Sequence, residues 1–353
     1  MTKLKLLVLP GDGVGVEVIP AAIEVLKFCA QKHSVSLEIT EELAGGASVR
    51  THGVTLRESV LELARQSDAV LLGCVGGLEW DNEPLARRPE RALLTLRKEL
   101  GLFANLRPIY AWPALEDNSP LKSAVVRGVD ILFFRELTGG IYFAQPKICE
   151  NDRAVDTEMY TRPEIERIAR LAFETAQRRK QKVVSVDKSN VLETSKLWRQ
   201  VVSEVHGQYA GVALEHRLVD SFAMQLMTTP SIFDVVLTNN IFGDILTDEA
   251  AVIAGSLGML PSASLGSGHA LYEPVHGTAP DIAGKGIANP IGSIGCIAML
   301  FDHTLKLPAI SAEIHRAIGA ALQDGHLTAD LHPKEKPVST REMTDAILKA
   351  LEG

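Results

Sequence analysis

Two aspartates four residues apart, Asp244 and Asp248, stand in the run Asn240-Ile-Phe-Gly-Asp-Ile-Leu-Thr-Asp248. In a helix, that spacing turns both carboxylates to one face. The apolar segment Val235 to Leu237 just upstream reads as a buried strand. The pair therefore falls past a strand end, where α/β sheets hold ligands. Two hard oxygen ligands on one face suit Mg²⁺ or Mn²⁺. Spacing alone also admits a plainer arrangement, with one Asp capping the helix and the other solvated.

Other residues point to an anionic substrate. Arg97 and Arg107 lie in the stretch Leu96 to Pro108, and Arg135 follows the apolar run Ile131 to Phe134. An arginine fork binds a carboxylate through two hydrogen bonds, so three would suit a di- or tricarboxylate. Each alone could be a surface ion pair, but an arginine in a strand-like apolar run needs a partner when buried. Tyr142 follows the Gly139-Gly140 turn as a potential proton donor, or as a packed aromatic. Lys188, in Val186-Asp-Lys-Ser-Asn-Val191, could be a general base if its neighbours lowered its pKa, or a solvated strand-end lysine. Asp220 follows Leu214 to Val219 and is ambiguous by itself.

Two glycine-rich segments bear on nucleotide binding. Gly11-Asp-Gly-Val-Gly-Val-Glu17 follows a strand and precedes a helix, but the third glycine of a dinucleotide fingerprint is missing, because Val16 stands there. A standard Rossmann phosphate loop is excluded, leaving a tight turn or a different cofactor contact. The loop Glu273 to Pro290 offers backbone N–H groups for an anion or adenine site. Within it, Asp281 could accept hydrogen bonds from a ribose diol and would repel a 2′-phosphate.

The elements that must position these groups alternate. Leu6 to Leu9, Ala69 to Leu72, Ile131 to Phe134, Val183 to Val186 and Val235 to Leu237 read as strands. Val18 to Ala30, Val60 to Gln66, Pro163 to Lys180, Thr194 to His206, Ser311 to Leu322 and Arg341 to Leu351 read as helices. This is an α/β pattern. At 353 residues, two domains are expected. If the chain leaves the first near residue 103 and returns near 255, that domain is discontinuous: 1–102 plus 255–353, with 103–254 as the second.

A net charge of −8 argues against a nucleic-acid or anionic-membrane surface. Cys29, Cys74, Cys149 and Cys296 form no metal spacing and are expected to be buried, reduced thiols of a cytoplasmic protein. Neither a signal peptide nor a membrane-length apolar run is read.

The motifs occur together and in order. Leu-Arg-Lys…Phe-Ala-Asn-Leu-Arg-Pro, Arg-Glu-Leu-Thr-Gly-Gly-Ile-Tyr-Phe, Asp-Lys-Ser-Asn-Val, Asn-Ile-Phe-Gly-Asp-Ile-Leu-Thr-Asp and Pro-Val-His-Gly-Thr-Ala-Pro-Asp-Ile-Ala-Gly-Lys-Gly-Ile-Ala-Asn-Pro span the chain. As a set they resemble the β-decarboxylating dehydrogenases of isocitrate and isopropylmalate. The resemblance implies a two-domain α/β subunit with a mixed sheet flanked by helices, its own NAD site and no standard Rossmann fold. It also implies a homodimer with shared active sites, in which Lys188 and Asp220 serve the partner's Asp244 and Asp248.

The implied reaction is NAD-dependent oxidative decarboxylation of a small dicarboxylate. Arg97, Arg107 and Arg135 would hold its carboxylates, and Asp220, Asp244 and Asp248 would bind Mg²⁺ or Mn²⁺. Lys188 would act as base or proton relay, and Tyr142 would help protonate the enol carbon. The resemblance also assigns the cofactor to Glu90, Asn190, His276, Gly277, Ala279, Asp281 and Asn289. Asp281-Ile282 matches the NAD-type pattern, where NADP-type relatives have Lys-Tyr.

Leu93 and Leu94 stand where isocitrate enzymes have Ser and Asn, which favours an isopropyl group over a third carboxylate. Burying its three carbons would contribute about 2 kcal/mol. The expected substrate is 3-isopropylmalate of leucine biosynthesis, with D-malate, tartrate or another 3-alkylmalate as alternatives. A non-catalytic regulatory relative would be expected to lack a metal Asp, the Lys or the Tyr, and all are present. The chain departs from the family pattern at Val16, where proline is common, at Asn239, where an acidic residue is common, and at Gln145, where a Gly-Glu pair is common.

Overall fold

The computed structural model describes residues 2–84 and 87–353. Along them run the strands β1 (Lys3–Gly11), β2 (Ser36–Glu41), β3 (Ala69–Cys74), β4 (Ala104–Tyr110), β5 (Asp130–Glu136), β6 (Lys147–Cys149), β7 (Ala154–Asp156), β8 (Lys182–Asp187), β9 (Ala213–Leu218), β10 (Val235–Thr238), β11 (Pro261–Leu265) and β12 (Ala270–Pro274). The chain divides into two compact units. One comprises residues up to Leu102, Trp112–Asn118 and Gly255–Gly353; the other comprises Phe103–Ala111 and Ser119–Ala254.

In the first unit the strand order is β2-β1-β3-β12-β11. β1 pairs in parallel with β2 and β3, and β3 with β12, while β11 runs antiparallel to β12. Every residue of β3 is buried, as in a strand covered on both faces. β2 ends the order, and it mixes exposed and half-buried residues. The helix Gly15–Lys32 follows β1 directly. The helix Ile291–His303 is buried continuously from Ile291 to Phe301, so it has no polar face to mark its period.

In the second unit the order is β4-β5-β10-β8-β9, with β4 antiparallel to β5 and the rest parallel. Helices Arg162–Gln177, Glu193–His206, Val219–Thr228 and Asn240–Ala254 pack with these strands. Thr161 and Glu164 form a capping box at the first, and Pro163 occupies its first turn, where a missing N–H does no harm. Each unit thus contains a mixed sheet flanked by helices.

All four cysteines are free, and Cys29, Cys74 and Cys296 are buried as expected. Cys149 is exposed instead. It lies in the two-stranded ribbon β6–β7, which has too little surface to cover it. Among the described residues no helix is long and apolar enough to cross a membrane.

Candidate active site

The metal-type aspartates sit where the helix Asn240–Ala254 leaves β10. Neither one caps that helix. Asn239 does so, with Oδ1 accepting from the Phe242 N–H at 2.9 Å, while its Nδ2 donates to Glu158 at 3.1 Å. An acidic side chain at 239 could accept the first bond but could not make the second, which accounts for this departure from the family pattern.

Asn240 then organises the surroundings. Its N–H donates to the Tyr160 hydroxyl at 2.9 Å, and its Nδ2 donates to the Gly139 carbonyl at 3.1 Å. Its Oδ1 accepts from Arg135 Nε at 3.1 Å and Nη2 at 2.9 Å. Gly243 lets Arg135 lie against the helix, because a Cβ there would stand 2.6 Å from Arg135 Cγ. The Gly139-Gly140 turn is equally constrained: a Cβ at Gly140 would meet the Tyr160 hydroxyl at 2.5 Å.

These contacts gather three predicted residues around Asp244. Arg135 Nη1 bonds one carboxylate oxygen, and the Tyr142 hydroxyl donates to the other at 2.8 Å. Arg107 Nη2 is 3.9 Å from Asp244, and its Nη1 donates to Asp248 at 3.0 Å and to Thr247 at 2.7 Å. Asn105 accepts from Arg107 Nε at 3.0 Å. The Arg135 side chain is only 5% exposed and that of Arg107 13%, so each guanidinium needs these partners. Burial, and then the Asp244 carboxylate accepting its proton, raise the Tyr142 hydroxyl above the ordinary phenol range, which keeps it protonated.

Lys188 and Asp220 form a separate pair at 2.7 Å. Asp220 is in the first turn of the helix Val219–Thr228 rather than free at a strand end. Its hydrogen bond to Lys188, more than any other influence, pulls its pKa down. Lys188 is held by its backbone, which donates to Ser195 Oγ at 3.1 Å. The neighbouring Asp187 is locked by Arg199 through two bonds of 2.9 Å. Asn190 is exposed on the turn that follows.

In the first unit, the helix Glu90–Glu99 carries Glu90, Leu93, Leu94 and Arg97 on one face. Arg97 donates to Glu273 at 2.8 Å, and its buried Nε has no partner among the described residues. Leu94 is exposed, whereas Leu93 partly packs into the core around Leu72, Leu96 and Leu271. Leu94, Glu90, Arg91 and Trp80 help line a cavity of about 280 Å³.

The His276 ring has Nδ1 at 2.9 Å from the Gly277 carbonyl, so Nδ1 carries the proton. Burial lowers the His276 pKa, which leaves Nε2 a bare acceptor with no partner among the described residues. Ala279 adopts a φ of +40°, and Asp281 is exposed on the same loop. Asn289 is buried, with its amide donating to Asp330 at 3.1 Å and its Oδ1 accepting from the Ile291 N–H at 3.0 Å.

The residues present fit both expected groups. Asp244 and Asp248 supply hard oxygens on one helix face, suited to a divalent cation. Among the described residues no group of three His, Cys, Asp or Glu side chains is gathered within one chain. The orphaned His276 acceptor and the exposed Asp281 on the same loop fit the amino group and ribose diol of an adenine nucleotide.

Several organising residues escaped the sequence reading. Asn240 and Tyr160 tie the helix, Arg135 and the glycine turn together, and Asn105 and Thr247 hold Arg107. The paired glycines at 139 and 140 signalled a close approach, but the ring that fills it lies well downstream.

The match to known proteins follows the same motifs. Residues 5–347 match the model of the isocitrate/isopropylmalate dehydrogenase family, and the chain belongs to that family of oxidoreductases. The 3-isopropylmalate dehydrogenase of Chlorobium chlorochromatii (strain CaD3) is 53% identical over 98% of this chain and 99% of its own. That of Aquifex aeolicus (strain VF5) is 50% identical, over 100% and 98%. Among solved structures, isocitrate dehydrogenase from Methylococcus capsulatus matches with a TM-score of 0.87 at 33% identity, covering 100% of both chains. A β-decarboxylating dehydrogenase from Thermococcus kodakarensis matches with a TM-score of 0.84 at 39% identity, covering 99% and 96%.

Proposed function

We propose that the chain catalyses NAD⁺-dependent oxidative decarboxylation of (2R,3S)-3-isopropylmalate to 4-methyl-2-oxopentanoate and CO₂, a step of leucine biosynthesis. The cluster of Arg135, Arg107 and Tyr142 around Asp244 carries this reading. It places two carboxylate-binding forks and a protonated phenol beside a hard-ligand pair. The names of the relatives at half identity support the choice of substrate.

In this mechanism Arg97, Arg107 and Arg135 orient the two carboxylates of the substrate. Lys188 of the partner subunit would take the proton from the C2 hydroxyl, and bound NAD⁺ would supply the hydride acceptor for C2. Loss of CO₂ from the C3 carboxylate leaves an enol, and Tyr142 delivers a proton to C3. A divalent cation held by Asp244, Asp248 and Asp220 of the partner subunit would supply Lewis acidity at the C2 oxygen. Leu94, aided by Leu93, gives the isopropyl group an apolar neighbour. The nucleotide is assigned to Glu90, Asn190 and the loop 276–289, whose Asp281 selects NAD over NADP.

The reading assigns cofactor binding to residues 1–102 plus 255–353, and metal and subunit contacts to 103–254. Ile245 and Val252, seven residues apart on the metal helix, form an exposed apolar stripe, at 60% and 37% exposure. Met224, on the adjoining helix, is 70% exposed. An apolar stripe of this kind supports a homodimer, and the free thiols suit a cytoplasmic setting.

The test is NADH production with 3-isopropylmalate, D-malate, tartrate and isocitrate in parallel. The highest kcat/KM is expected for 3-isopropylmalate. Equal or better turnover of D-malate would replace the substrate assignment while leaving the reaction class intact.

A further inference from the structure

The glycine turn after β1 lacks the spacing of a phosphate loop, yet it grips another segment at two points. Val14 N–H donates to the Thr278 carbonyl at 2.9 Å. A Cβ at Gly13 would come within 2.1 Å of the same oxygen, so no side chain fits between turn and loop. In the first turn of the following helix, the Glu17 carboxylate makes the second attachment. One of its oxygens accepts from the Gly284 N–H and the other from the Gly286 N–H, the latter at 2.8 Å.

The sequence of the loop is suited to this grip. Gly284 has φ +79° and Gly286 φ +66°, with nothing within 4 Å of where a Cβ would stand. Glycine is needed there for the backbone conformation that turns both N–H groups to one point, not for want of room. The inner side chains, Ala279, Ile282 and Ala283, pack against Val14, Val18, Cys74 and Ala288. Asp281 lies between the two attachments and is exposed. Glu17 stands in the first turn of its helix, where the N-terminal dipole stabilises a carboxylate.

We infer that Glu17 is a positioning residue for the dinucleotide, a two-oxygen clasp that fixes the loop bearing His276 and Asp281. The inference rests on the assignment of NAD to that loop. Glu17 acts through Gly284 and Gly286 without touching the nucleotide. Without the clasp, the loop would have to be ordered anew at each binding event, which lowers affinity without altering the reacting groups.

The test uses the full-length protein. NADH affinity is measured by fluorescence titration without substrate, amide exchange is followed across residues 279–288 in the cofactor-free protein, and KM and kcat are measured separately. Glu17→Ala is expected to weaken NADH binding roughly ten- to a hundredfold, the scale of hydrogen bonds to a charged acceptor. Exchange at Gly284 and Gly286 should accelerate. KM for NAD⁺ should rise, while kcat at saturating NAD⁺ and KM for the malate substrate stay within about twofold.

Glu17→Gln keeps one acceptor oxygen and should fall between; it carries the test if the alanine variant does not fold. Asp281→Ala serves as the reference. If Asp281→Ala weakens NADH binding and the Glu17 variants do not, the clasp is only structural and the inference falls, while the cofactor loop stands. If none of the variants changes NADH affinity, the assignment of the loop falls and the inference falls with it.

Discussion

Tyr142 donates its hydroxyl proton to one oxygen of Asp244 at 2.8 Å, while Arg135 holds the other oxygen. The phenol is therefore aimed and kept protonated by the same carboxylate. Tyr142→Phe should lower kcat by about 10²- to 10⁴-fold, the usual range for a proton donor. KM for NAD⁺ should change little. Because burial and Asp244 raise the phenol of the metal-free protein, spectrophotometric titration of that form against the phenylalanine variant should place Tyr142 above the ordinary tyrosine range. Titration of Tyr142 within the ordinary range would show that the contact with Asp244 does not hold its proton.

Asp244→Asn removes a charge but keeps the shape of the side chain. Arg135 retains its two bonds to Asn240, so the fold should survive with a loss of about 1–3 kcal/mol. Metal-dependent turnover should fall at least about a hundredfold. Circular dichroism and a Mg²⁺ titration of activity together check this, and full activity would refute the metal role.

Gly243→Ala places a methyl group 2.6 Å from Arg135 Cγ, in the middle of a well-packed contact. The arginine must shift or the helix must move. A stability loss of about 1–3 kcal/mol is expected, as for overpacked cores. A rise in KM for the dicarboxylate should accompany it. Unchanged KM would show that Arg135 can adapt without losing its aim.

Stability should decline in mild acid. Burial holds His216 and His276 below the ordinary 6.5, with Arg199 adding to the effect at His216. As pH falls through 6.5 the unfolded chain takes up protons at these positions before the folded one does, so unfolding gains ground. The loss continues until the lowered folded pKa is reached. The urea midpoint should be lower at pH 5.5 than at pH 7.5, roughly spanning that window. His216→Gln should have a shallower slope than the parent, and an equal slope would remove His216 from the account.

Met224→Lys combined with Ile245→Lys puts two charges on an exposed apolar surface. If that surface joins two copies, sedimentation should show a folded monomer. With Lys188 and Asp220 supplied across the interface, the monomer should also be inactive. An active monomer would overturn the shared site.

Much of this was legible before any coordinates. Buried parallel strands such as β3 announce themselves as short apolar runs, and the amphipathic helices show their period. The helix Ile291–His303 did not, because a helix buried on every side has no periodic contrast. Type and spacing marked the charged residues only as candidates, each with a plainer alternative, and it was the ordered set of motifs, through its family resemblance, that gathered them into one reading. The scaffold behind them could not be read this way. Tyr160 is one aromatic among five tyrosines, and only the fold brings its hydroxyl to Asn240 and its ring to Gly140. Similarly, Asn289 was read as a cofactor contact, while its side chain is bonded to Asp330 and to the Ile291 N–H. Motif membership says that a residue matters; it does not say which of its atoms are free.

Arg107 and Arg135 are held by the very carboxylates that a divalent cation would take. A cation arriving alone would strip both guanidinium groups of their counterions, and a dicarboxylate arriving alone would do the same to the aspartates. Together they exchange partners with no charge left over. Each ligand should therefore tighten the other by the same factor, so that loading behaves as a single linked event rather than two independent ones.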